Sequence, residues 1–203
     1  LCNWYARPPY SALQNKYRWS DPAVPIYTNP TYKDFTGAPR SDLRTVFDQI
    51  NSDLDRAVEL LDAGSGSRLA GDKSHINLYV ALGFKVRAAL AAGDWDTALS
   101  CSERIIGSGL YQVGERNELL NGMNSLSLKN VMWGAGITNT EQAGGYASFF
   151  SHMDNTNGAY AQAAPKLISS SLYKMMPADD IRRAWWDPEN PESPYVSNKF
   201  SFS

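Results

Sequence analysis

The side chains of this 203-residue sequence that could do chemistry are few. Two histidines, His75 and His152, and two cysteines, Cys2 and Cys101, are the soft metal donors, and neither histidine sits in the donor spacing of a zinc or iron site. No metal and no cofactor is expected. Asp179 and Asp180 form the most suggestive carboxylate pair. Glycosidic hydrolysis needs two carboxyl groups about 5–10 Å apart on either side of a sugar, which adjacent residues do not provide. Asp180 is instead expected to pair with Arg182 or Arg183 and close a turn. There is no glycine-rich phosphate loop and no nucleophile elbow, so the chain reads as a binder and not an enzyme.

Rings are the unusual component. Six Trp, eleven Tyr and seven Phe exceed what a helical layer of this size needs for its interior, so some should face solvent. The stretch that best suits a ligand surface runs from Ile137 to Gln162, which holds Asn139, Gln142, Tyr146, Phe149, Phe150, His152, Asn155, Asn157 and Tyr160 among glycines and almost no charge. Such a polar stretch cannot easily bury all of its rings together. Phe149 and Phe150 suit anchoring of the loop, whereas Tyr146 and Tyr160 suit anchoring and binding equally. A second group, Trp4, Tyr5, Arg7, Tyr10 and Trp19, has a similar mixture but lies where an extended segment needs rings to pin it down. Trp185 and Trp186 are adjacent and would point to opposite faces of a strand, leaving one of them exposed.

Charge excludes further classes. Nineteen Lys plus Arg against 21 Asp plus Glu, with no block of one sign, argue against a nucleic-acid partner. No window approaches the roughly 18 uninterrupted apolar residues of a membrane-spanning helix. Two cysteines are too few for a disulfide scaffold, and Cys101 is expected to be a buried free thiol. Cys2 stands where a lipoprotein carries its lipidated cysteine, but no charged leader or apolar run precedes it.

The elements that must position these residues divide the chain in three. Residues 1–40, rich in proline with Tyr and Trp interspersed, suit an extended wrapping segment. Ser41 can then cap a helix whose stripe runs through Leu43, Val46, Phe47, Ile50, Leu54, Ala57 and Leu61 to the break at Gly64–Ser67. A second helix can start at Ser74 and bury Ile76, Tyr79, Val80, Gly83, Val86 and Leu90 before a left-handed stop at Gly93. Asp94 caps a third, with Trp95, Ala98, Leu99, Ser102, Ile105 and Ile106 at helical spacing. So short a link makes the two helices an antiparallel hairpin of the tetratricopeptide kind. Trp95 is expected to fill the groove between turns, at a cost of about 3–5 kcal/mol if cut to Ala. Residues 41–111 are thus a helical scaffold and 112–203 a loop-rich lobe. One helix is expected over Pro165–Met176, with Leu167, Ile168, Leu172 and Met175 on one face, and a short strand pair over Arg182–Trp186 and Tyr195–Phe200. The fold class is mainly α, with helical hairpins, a loop-rich lobe and a few short strands.

The order of these landmarks resembles the SusD/RagB family over nearly the whole chain. Val24-Pro25-Ile26-Tyr27 is similar to the segment that follows that family's first helices, and Arg40-Ser41 through Leu61 to its next helix. Val80–Leu90, Gly93-Asp94-Trp95, Ala98 and Ser108-Gly109-Leu110-Tyr111 resemble its helical hairpin. Asn130–Trp133 sits where the family has a strand, with Asn130 in place of the usual acidic residue. Leu167, Leu172-Tyr173, Asp180 and Arg182, then Asn198-Lys199-Phe200, resemble later landmarks. The lipidated N-terminus and the final helical repeats are missing, so the chain is read as an internal fragment of one domain, incomplete at both ends.

The resemblance implies a non-catalytic protein on the extracellular face of the outer membrane, held by an N-terminal lipid anchor absent from this chain. It implies capture of an oligosaccharide or polysaccharide and its delivery to a SusC-like TonB-dependent transporter. Sugar recognition needs ring faces for C–H groups and polar side chains for hydroxyls. On that basis the expected ligand-binding residues are Asn139, Tyr146, Phe149, His152, Asn155 and Tyr160, with Trp4 and Trp19 as a second surface. The rival reading is a tetratricopeptide-type adaptor that binds protein or peptide, including peptide uptake.

Overall fold

The computed structural model describes residues 19–64, 72–136, 146, 148–156 and 158–202. The chain divides into two compact units, residues 1–111 and 112–203. Among the described residues the fold is mainly helical, with one two-stranded sheet, and no helix is long and apolar enough to cross a membrane.

The first unit is built on three helices: α1 (Leu43–Ala63), α2 (Leu78–Ala92) and α3 (Trp95–Gly107). Its core gathers Ala23, Leu43, Val46 and Phe47, with Trp19, Val24, Ile26, Ile50, Ala91 and Ala92 packed around them. Residues 19–21 turn, and Pro22 then forms an antiparallel bridge with Asp42 where the chain enters α1. The Ala23 N–H donates to Ser41 O (2.8 Å), the Ser41 N–H to Val24 O (3.1 Å) and the Arg44 N–H to Trp19 O (2.9 Å). The Arg40 guanidinium also donates to the Ala23 and Pro22 carbonyls, which closes the same junction from its side.

Two helix starts differ from the sequence expectation. Asp42, not Ser41, caps α1: its carboxylate accepts from the Thr45 N–H at 2.8 Å and from the Thr45 hydroxyl at 3.0 Å. Ser41 is taken up in backbone pairing with residues 23 and 24 and cannot also cap. Likewise α2 starts at Leu78 and not Ser74. Asn77 is its buried cap, accepting from the Val80 N–H (3.0 Å) while its amide donates to the Tyr111 hydroxyl (2.6 Å). Ser74 is occupied instead in a local knot with Asp72 and His75. Because the helix starts later, Ile76 lies outside it and is exposed, as is Leu90 near its end.

The hairpin forms as its spacing predicts. Gly93 adopts φ 74°, the left-handed conformation that favours glycine, and Asp94 caps α3 by accepting from the Thr97 N–H at 3.1 Å. Helix α2 packs against both neighbours through Val80, Ala81, Leu82 and Ala89, and α3 answers with Ala98 and the free thiol Cys101, all buried. Ion pairs Lys85–Asp55 and Arg104–Asp62 (2.8 Å) tie α2 and α3 to α1. Trp95, however, does not fill the groove; it is 54% exposed, and Leu99 and Ile106 are exposed beside it. The period correctly marked an apolar stripe, but the neighbouring helix covers only its Ala98–Cys101 edge.

The second unit has short elements: α4 (Arg116–Leu120), α5 (Phe149–Met153), α6 (Ala159–Ala163), α7 (Ser170–Met175), a 3₁₀ helix (Ile181–Trp185), and strands β1 (Trp186–Asp187) and β2 (Val196–Ser197). The strands pair antiparallel, Trp186 opposite Ser197 and Asp187 opposite Val196. The expected helix over Pro165–Met176 is shorter, because residues 166–168 are drawn to the other edge of β2. Ser197 donates to Lys166 O (2.9 Å), Ile168 donates to Tyr195 O (3.1 Å), and Leu167 bridges Val196. Residues 181–185 form a 3₁₀ turn and not a strand, since Asp180 accepts from the Arg182 N–H and its side chain at once. Trp185 and Trp186 are therefore not a strand pair, and both are half-buried; the Trp185 indole N–H donates to Leu119 O at 2.9 Å. Asn130–Trp133 is irregular, not a strand: the Val131 N–H turns back to Leu128 O (3.1 Å), and no ladder forms there among the described residues.

Candidate functional site

The ring-bearing stretch is organised by α5 and α6. Ser148 caps α5, accepting from the Ser151 N–H at 3.1 Å, and the Ser151 hydroxyl in turn accepts from the Tyr160 N–H at 3.0 Å, so the first turns of the two helices are joined. Gly158 allows the close approach. A Cβ there would collide with the Ser151 carbonyl and lie 2.5 Å from the Asp154 carbonyl. Below, Asp154 is 1% exposed; its carboxylate accepts from the N–H and hydroxyl of Thr156 (2.9 and 2.6 Å) and from the Phe202 N–H (2.8 Å). That buried acid ties the α5–α6 turn to the chain beyond β2.

On this frame stand two ring groups. In the first, the His152 imidazole stacks on Tyr160 with centroids 3.9 Å apart, and Tyr146 meets Tyr160 edge-to-face at 5.1 Å. The Lys166 ammonium lies 4.9 Å from the Tyr160 centroid and donates to Ala164 O at 3.1 Å, at the end of α6. Much of the Tyr160 surface is thus already in use, and Tyr146, 62% exposed, is the ring with free area. In the second group Phe149 meets Phe150, Phe200 and Phe202 at 6.1–6.3 Å, and Phe150 meets Phe202 at 4.5 Å. Phe149 remains 59% exposed while touching all three.

The sequence-nominated residues therefore fall into different places. Tyr146, His152 and Tyr160 come together, and Phe149 heads the adjoining phenylalanine group. Asn155 lies beneath and is committed to the fold: its amide donates to Ser197 O (2.6 Å) and its oxygen accepts from the Lys166 N–H (3.0 Å). Trp19 belongs to the other unit, where it meets Phe47 edge-to-face at 5.6 Å and carries the Arg44 guanidinium over its ring. It is half-buried and packs against the core of that unit. Asn139 and Trp4 lie outside the described residues. Sequence reasoning missed Lys166, Phe200 and Phe202. The alternation of Phe200 and Phe202 was a visible signal for two rings on one face. Lys166 had none, because its place depends on pairing with a strand 30 residues later.

The carboxylate pair takes no part in this site. Asp180 accepts from the Arg182 backbone and side chain, with a 2.5 Å ion pair to Nη2, and that partner holds its carboxyl down at about 2. Arg183 donates to Tyr173 O and Met176 O and lies over the Tyr173 ring, closing the end of α7.

Three solved structures are similar to this chain. A SusD-like carbohydrate binding protein from Bacteroides vulgatus superposes with a TM-score of 0.68 and 26% identity, covering 89% of this chain and 38% of that one. A SusD superfamily protein from Bacteroides thetaiotaomicron gives 0.64 and 21%, over 89% of this chain and 40% of its own. A further Bacteroides vulgatus structure gives 0.69 and 22%, over 88% and 39%. The chain spans about two fifths of the length of these proteins. No protein-family model and no curated protein matches the sequence.

Proposed function

We propose that this chain, which has the fold of SusD-like proteins, is the part of a cell-surface binding protein that captures oligosaccharide or polysaccharide. It holds the sugar without altering it and delivers it to a TonB-dependent transporter in the outer membrane, on whose extracellular face it sits. The carrying observation is the exposed ring of Tyr146 held edge-on against Tyr160 and its His152 partner, on a scaffold similar to a carbohydrate binding protein. A fixed, solvent-facing ring offers a flat apolar face to sugar C–H groups at little conformational cost, because its neighbours have already ordered it. Tyr146 is the platform in this reading, Tyr160 and His152 hold it, Phe149 extends the apolar surface, and Asn155 positions Lys166 from below. Asn139, and Trp4 with Trp19 as a second surface, remain part of the proposed binding set by sequence alone.

Affinity electrophoresis of the chain in gels containing a panel of polysaccharides tests this reading. Retardation by at least one polysaccharide, with no release of reducing ends, is the expected result. Mobility unchanged across the panel, or new reducing ends, contradicts it. For delivery, a tagged full-length protein should co-purify with an outer-membrane barrel from the native membrane; recovery of the protein without one contradicts that step.

A further inference from the structure

Charge at the ring cluster points to a ligand class. Lys166 is half-buried, and among the described residues no carboxylate pairs with it. One of its three donors goes to Ala164 O, and the ammonium otherwise faces the Tyr160 ring. Lys199 has the same character: it lies 4.9 Å from the Trp185 centroid and 5.1 Å from that of Phe200, with no acidic partner among the described residues. Lys85, Lys129, Arg56, Arg104 and Arg182 each meet a carboxylate, whereas Arg44 and Arg183, like these two lysines, lie over rings. The backbones of the two lysines meet at Ser197, whose N–H donates to Lys166 O and whose hydroxyl accepts from the Lys199 backbone N–H at 3.3 Å. Between Tyr146 and Lys166 the only acidic side chain is Asp154, which is buried and hydrogen-bonded.

A half-buried ammonium that meets no carboxylate among the described residues keeps unused capacity for a charge-assisted hydrogen bond, and a carboxylate beside a stacked ring meets that capacity. We infer that the saccharide taken by this face is anionic, carrying carboxylate groups on its sugar rings as in a polyuronate. The inference rests on the glycan-binding reading above and deepens it: Tyr146 receives the apolar face of a sugar while Lys166 receives its carboxylate, with Lys199 available to a neighbouring unit of the polymer.

The test is affinity electrophoresis of the whole chain in gels containing polygalacturonate, a neutral glucan or dextran sulfate, at low and high salt, with Lys166→Met and Lys166→Arg beside the wild type. Retardation is expected to be strongest in polygalacturonate and to fall with salt. It should weaken about three- to five-fold in Lys166→Met, the scale of one partly exposed charge pair, and persist in Lys166→Arg. Stronger retardation in the neutral gel, or salt-insensitive retardation, overturns the inference while leaving glycan binding intact. Dextran sulfate retarding where polygalacturonate does not overturns the carboxylate assignment. Should Lys166→Met fail to fold, the salt response of the wild type decides. No retardation in these three gels overturns the inference, and no retardation across the wider polysaccharide panel overturns the parent reading with it.

Discussion

The imidazole of His152 stacks on the phenol of Tyr160, with centroids 3.9 Å apart and planes inclined by 15°. His152 stands on α5 and Tyr160 on α6, so this contact joins two helices each five residues long, too short to hold their shape alone. Their geometry comes from packing of this kind and from the Ser151–Tyr160 hydrogen bond. Tyr160→Ala should remove the stacking and the cation–π contact together, lowering stability by about 1–3 kcal/mol, whereas Tyr160→Phe keeps both and stays near wild type. Chemical denaturation of the three proteins checks this. Equal losses for Phe and Ala would mean that the hydroxyl, not the ring face, matters.

Gly158 separates the same two helices. A methyl group there meets three backbone carbonyls, from Phe150, Ser151 and Asp154, none of which is a flexible side-chain end. Gly158→Ala should therefore cost about 3 kcal/mol or more and disturb the ring cluster with it. A thermal melt matching wild type would show that α5 and α6 are further apart than described.

In the helical unit, Leu43 is 1% exposed within the core while Trp95 is more than half exposed. Leu43→Ala should cost about 2–5 kcal/mol, and Trp95→Ala less than about 1.5. Paired denaturation curves give the ranking directly; a larger loss at Trp95 contradicts the described packing.

These three sites show what sequence could and could not tell. The stripe from Leu43 to Leu61, the Gly93–Asp94 link and the buried Cys101 were legible because capping, period and a two-residue connection are local rules. Which edge of the α3 stripe is covered is a tertiary fact, and so Trp95 was assigned to the wrong side. The Asp42 and Asn77 caps were missed because Ser41 and Ser74 are chemically able to cap and are engaged elsewhere by residues 23–24 and 72. In the second unit the late start of the helix expected over Pro165–Met176 reflects backbone pairing of Lys166 and Ile168 with Ser197 and Tyr195, long-range bonds that leave no periodic trace. The nomination of Tyr146, His152 and Tyr160 needed only that rings in a polar stretch tend to gather. That Asn155 would be absorbed into the fold depended on Ser197 and was not visible.

Asp180 makes a pH prediction. Hydrogen bonding from Arg182 lowers its carboxyl from 3.8 to about 2 in the folded chain. A depressed folded value means the interaction stabilises fully above 3.8 and is lost as pH falls through about 2. The melting-temperature difference between wild type and Asp180→Asn should thus be largest at neutral pH and shrink across that window. A difference that stays constant down to pH about 2 contradicts the assignment.

The central claim is that Tyr146 is the sugar platform. Its most direct measurement is the dissociation constant of the retarding polysaccharide, read from affinity gels of graded concentration, for Tyr146→Ala against Trp95→Ala as an exposed-ring control. Loss of one stacking ring should weaken binding by about ten-fold or more in Tyr146→Ala and leave Trp95→Ala unchanged. Equal affinity in wild type and a correctly folded Tyr146→Ala would place the sugar elsewhere on the molecule and contradict the account.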